Sequence, residues 1–179
     1  MLRTAPLLLA LAFVAGCASV SVQREPSAAA PAATPASRLA EEGRHDEAAQ
    51  AYAALAAESR GAARERAWLD AAWQYRLAGQ DAAARQAWSE VSRRRLEGSA
   101  ALRHDLLGAH FHLQAGRAAE ALGMLGQPRA SVPAALAADW HGLRAGALRR
   151  LGRGFDAAAE LAWLAAGQTG EARVATVGD

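Results

Sequence analysis

One cysteine and no lysine occur in 179 residues, and aromatic side chains make up only 6% of the chain. A single thiol excludes an internal disulfide. Alternating β-branched and aromatic residues are scarce, which argues against a sheet-built fold. The charge balance is +2 at pH 7 with every basic side chain an arginine, and it lacks the clustered basic excess of a nucleic-acid binder. No glycine-rich phosphate loop and no G-x-S-x-G elbow is present. What remains is a 52% hydrophobic chain dominated by alanine and leucine, both strong helix formers. An all-α domain is therefore expected.

The N-terminus reads as an address. Arg3 precedes an apolar run from Leu7 to Val14 that ends in Val14-Ala15-Gly16-Cys17. Eight apolar residues are too few to cross a bilayer, which takes about 20. An aliphatic residue, two small ones and a cysteine resemble a bacterial lipobox. That resemblance implies a signal peptide over 1–16 and a mature N-terminus at Cys17 carrying covalent lipid, the only cofactor-like group expected. Ala18 and Ser19 follow, with no retention-type aspartate, so the expected location is the outer membrane, facing the periplasm. Residues 17–36 hold Pro26, Pro31 and Pro35 among Ala and Ser, the composition of a flexible tether.

Beyond the tether the sequence repeats. Gly43, Gly79, Gly116 and Gly152 are spaced 36, 37 and 36 residues apart, each between two helical patterns, where a left-handed residue closes the first. Five residues after each glycine stands an alanine and four further on a large apolar residue: Ala48 and Tyr52, Ala84 and Trp88, Ala121 and Leu125, Ala157 and Leu161. A period in the 20–50 range is the signature of stacked repeats. The spacing predicts helices near 37–42, 46–58, 62–78, 81–96, 100–115, 118–126, 133–151 and 155–166, with a flexible tail over 167–179.

Trp68, Ala71, Ala72 and Tyr75, followed by Ala84 and Trp88, resemble the tetratricopeptide repeat, whose pattern begins W-x₂-L-G-x₂-Y. Pro133 also falls where that pattern has its proline. The resemblance implies a right-handed solenoid of antiparallel helix pairs, about three and a half repeats over 37–166. It also implies a groove lined by the first helix of each repeat. Those positions are Arg66, Leu69, Trp73 and Arg76, then Arg103, Leu106, His110 and Leu113, then Arg149 and Arg150, with Gly142 and Gly146 leaving space. An arginine-rich surface with a tryptophan suits an acidic protein segment. In the last helix, Leu161 and Leu164 are expected to face inward with Ala157. Trp163 is then expected outside with Asp156 and Glu160, as a second docking point.

Catalysis is not expected. His110 and His112 point about 200° apart on a helix, and His104 is out of step with both; all three are expected as surface or groove side chains. Glu41, Glu42, Glu58 and Glu65 are expected to be solvated. Arg93-Arg94-Arg95 is expected to close a helix, complementing its dipole. Lipobox, tether and degenerate repeats together resemble the N-terminal part of the lipoprotein activators of class A penicillin-binding proteins. In that family a larger α/β domain follows the repeats and makes the synthase contact. The resemblance implies a non-enzymatic regulator of peptidoglycan synthesis with a penicillin-binding protein as partner and no small-molecule substrate. The alternative is a scaffold for another envelope assembly, such as a pilus or secretion system.

Overall fold

The computed structural model describes residues 34–126 and 132–175, with side-chain surroundings through 166. The expected signal peptide, Cys17 and most of the tether lie outside the described residues. Among the described residues are eight α-helices: α1 (Pro35–Glu41), α2 (His45–Glu58), α3 (Gly61–Leu77), α4 (Asp81–Ser89), α5 (Gly98–Gln114), α6 (Ala118–Leu125), α7 (Ala134–Arg150) and α8 (Gly154–Ala175). Within these bounds no helix is long and apolar enough to cross a membrane.

The helices close as the sequence implies. Gly43, Gly79, Gly116 and Gly152 all have φ between +72° and +75°. At each, two reverse hydrogen bonds cover the last carbonyls, as when Gly79 N donates to Arg76 O and Gln80 N to Tyr75 O. This is the Schellman arrangement, made four times. Sequence spacing did not single out a second glycine series. Gly61 and Gly98 open α3 and α5 with φ +58° and +56°, and Ala134 opens α7 after Pro133. As a result α3, α5 and α7 are each 17 residues long.

Three boundaries differ from expectation. The helix α1 begins at Pro35, inside the expected tether, because Thr34 caps it through Ser37 N and proline is tolerated in the first turn. The helix α4 stops at Ser89, and the three arginines form a separate 3-10 turn, Arg93–Arg95. The helix α8 runs on to Ala175, into the stretch expected to be a tail.

Every helix packs on its neighbour in sequence, and α5 also packs on both α3 and α7. The alanine marking each pair is closed off: Ala48, Ala84 and Ala121 are fully buried and Ala157 nearly so. Small side chains there let α2, α4, α6 and α8 approach their partners. In the first three pairs, the large residue four positions on enters an apolar cluster shared with later helices. Tyr52 and Trp88 pack into one such cluster with Leu69, Leu107 and Phe111. Leu125 packs into a second with Leu106, Leu136 and Trp140. Indole hydrogen bonds fix the seams, from Trp88 Nε1 to His104 O at 3.0 Å and from Trp140 Nε1 to Leu125 O at 3.3 Å. Trp73 touches both clusters and joins them.

The last pair departs from the expected orientation. Leu161 stands where Tyr52, Trp88 and Leu125 stand, yet it is 45% exposed. The inward face of α8 instead carries Ala157, Glu160 and half-buried Leu164. The cause is charge. Glu160 accepts from Arg144 Nε at 2.8 Å and lies 2.6 Å from His141 Nδ1. A buried carboxylate needs such partners, and α8 is turned to supply them.

Candidate functional site

The best-defined cluster of exposed and half-exposed chemistry lies where α3, α5 and α7 share a surface. Trp73, half-buried on α3, has the Arg76 guanidinium 4.3 Å from its ring centroid and that of Arg103 at 5.1 Å. Each such contact is worth about 0.5–2 kcal/mol depending on desolvation. The indole thereby holds two cations in place. Each cation also meets an acid. Arg103 Nη1 donates to Asp70 Oδ1 at 2.7 Å, and Arg76 Nη2 is 3.4 Å from Asp139 Oδ1. Arg66, Leu69, Asp70, Glu97 and Arg103 border a recess of about 260 Å³. Gly146, Arg149 and Arg150 border another of about 360 Å³.

The structure thus brings Arg66, Leu69, Trp73, Arg76 and Arg103 together and keeps Arg149 and Arg150 at a separate recess. It reassigns the apolar members of the expected groove. Leu69 and Leu106 are 1% exposed and Leu113 is buried, so they are core, each contributing about 1.5–3 kcal/mol through burial. His110 turns to Asp81 Oδ1 at 3.2 Å and braces α4 against α5. Burial pushes the Asp81 carboxyl up, but hydrogen bonds from His110 and Gln114 outweigh it and hold it below its ordinary range. Arg150 is exposed but donates to Leu113 O. Trp163 is half-exposed, with one face stacked on His141 at 3.8 Å, so half of the expected docking point is already covered by α7.

Several charged residues sit elsewhere than the sequence pattern predicts. His104, expected as a surface or groove side chain, is buried, 5.0 Å from the Trp88 ring centroid and 3.3 Å from Asp105. Asp105 also accepts from Arg93 Nε at 2.6 Å and Nη2 at 2.9 Å. Burial raises the Asp105 carboxyl, yet the His104 and Arg93 hydrogen bonds keep it below the ordinary carboxylate range. Glu65, expected to be solvated, is buried and accepts from Ser92 N at 2.6 Å and Arg95 Nη1 at 3.1 Å. The arginine run is therefore not a free patch, since Arg93 and Arg95 pin the α4–α5 connection to α5 and α3. Glu41, Glu42 and Glu58 are exposed, as expected.

Asp70 and Asp139, the acids of the shared surface, were missed. For Asp139 the signal was present: aligning α3, α5 and α7 at their first residues puts Arg66, Arg103 and Asp139 in one register. Among the described residues no three His, Cys, Asp or Glu side chains converge as a metal site would require. Comparison with protein-family models, with curated proteins and with solved structures finds no match.

Proposed function

We propose that the chain is a tetratricopeptide-like interaction module, a right-handed solenoid that presents the α3–α5–α7 surface to an acidic segment of a protein partner. It is not an enzyme on this reading. The supporting observation is the cluster of Trp73, Arg76 and Arg103: cations preset on an aromatic face lose little freedom on meeting a carboxylate. Lipidated at Cys17 and tethered to the outer membrane, the module reaches into the periplasm. The partner in this reading is a class A penicillin-binding protein, whose peptidoglycan synthesis it regulates.

The test uses the full chain in detergent micelles with a purified class A penicillin-binding protein. Binding by calorimetry, with a changed rate of glycan polymerisation, is the expected result. Saturating amounts of both proteins with neither heat nor a rate change would remove this partner from the proposal. Fractionation of a Cys17→Ala variant tests the anchor, and the variant is expected to leave the outer membrane for the soluble periplasm.

A further inference from the structure

Arg76 and Asp139 lie on helices separated by a third. The helix α5 packs on both α3 and α7, and this ion pair reaches across it. The contact is loose. It is made through one nitrogen at 3.4 Å, against about 2.7–2.9 Å for a charge-assisted hydrogen bond. The neighbouring Arg103–Asp70 pair closes to 2.7 Å. Arg76 is 17% exposed and Asp139 34%, so neither is fully solvated. The Arg76 Nε is buried and has no hydrogen-bond partner. A planar guanidinium is built to grip a carboxylate through two nitrogens, and this one lies over the Trp73 ring with its Nε unused.

The register points the same way. At the sixth position of α3 and α5 stand Arg66 and Arg103, and at the sixth position of α7 stands Asp139. The charge reversal lets α7 place a carboxylate on a surface otherwise rich in arginine. We propose that Asp139 is a built-in competitor occupying the anion subsite of Arg76, and that an acidic side chain of a bound segment displaces it. The incoming carboxylate takes the terminal nitrogen that Asp139 gives up, with the guanidinium kept over Trp73. The same step unties α7 from α3, so occupation of the surface and release of this clasp are one event. This inference rests on the proposed binding of an acidic segment and adds to it the subsite and its internal rival.

Anisotropy of a fluorescein-labelled hexaglutamate peptide, titrated with the full chain at physiological salt, tests the idea. Removing an internal competitor raises apparent affinity by the reciprocal of the competent fraction. Asp139→Asn is expected to tighten binding about fivefold, which corresponds to a competent fraction of about one fifth in the parent protein. Glu120→Gln, on an exposed position of α6, changes net charge equally and is expected to change affinity less than about twofold. In an Arg76→Gln background the gain from Asp139→Asn is expected to vanish, since the two residues act through each other. A circular-dichroism melt of each variant confirms that folded proteins are compared. Equal tightening by Asp139→Asn and Glu120→Gln, or a gain that survives Arg76→Gln, would overturn the clasp while leaving acidic-segment binding intact. Absence of peptide binding by every variant would overturn both.

Discussion

Arg144 on α7 donates through Nε to Glu160 on α8 at 2.8 Å, with the two side chains only 9% and 11% exposed. The pair is the polar centre of the last helix pair. Arg144 also donates to Gly126 O, and His141 closes the other side of the carboxylate.

Removing one member of this pair leaves the other charged and dry. Glu160→Ala is expected to lower unfolding free energy by about 3–5 kcal/mol, read from urea denaturation followed by far-ultraviolet circular dichroism. Trp163 fluorescence should change at lower urea than the rest of the signal, because α8 loses its inward anchor first.

Gly108 on α5 marks a close approach. A Cβ there would lie 2.4 Å from Met124 Sδ and 3.0 Å from Trp88 Cζ2. The methionine is flexible and can retreat; the indole is tied to His104 O. Better helix propensity returns about 1 kcal/mol, against about 1–3 kcal/mol for overpacking. Gly108→Ala is expected to destabilise by about 1 kcal/mol. Adding Met124→Ala should then cost less than Met124→Ala does alone. A double-mutant cycle on thermal melts measures the difference.

Acid should weaken the α4–α5 connection through Asp105. Its carboxyl titrates lower in the folded protein than the ordinary value of about 3.9. The folded state therefore takes up the proton less readily than the unfolded chain. The stabilisation is complete above the unfolded value and is lost as pH falls through the folded one. Asp105→Asn is expected to flatten the decline in melting temperature below about pH 4, read against the parent protein in the same buffers.

Backbone handedness gives a further check. Gly79 has φ +75° and open space where a Cβ would go, so any cost of Gly79→Ala comes from conformation and not from a clash. Left-handed alanine costs about 1–2 kcal/mol. Gly116→Ala should cost the same, and because Asp81 beside the first turn accepts from Gln114 beside the second, the two effects should depart from additivity by about 0.5 kcal/mol or more. Chemical denaturation of both single variants and the double tests this.

Much of this architecture is legible in the residues because its rules are local. Glycine at 43, 79, 116 and 152 is demanded by backbone sterics, and alanine at 48, 84, 121 and 157 by helix approach. Both requirements recur at fixed spacing. The rotation of α8 is not legible. Apolar periodicity favours Leu161 as the inward residue, and only the presence of Arg144 and His141 opposite makes Glu160 the buried one. Leu69 and Leu106 read as groove because resemblance supplies positions, not depth. Glu65 and His104 look accessible because charge is normally outside, but Glu65 meets Ser92 and Arg95, 27 and 30 residues on, and His104 lies against the Trp88 ring.

Leu161 repeats a position that Tyr52, Trp88 and Leu125 use to seat the next helix, and here nothing among the described residues seats upon it. Because α8 is turned to bury Glu160 against Arg144 and His141, the last pair instead leaves Leu161 and Trp163 as apolar area facing water.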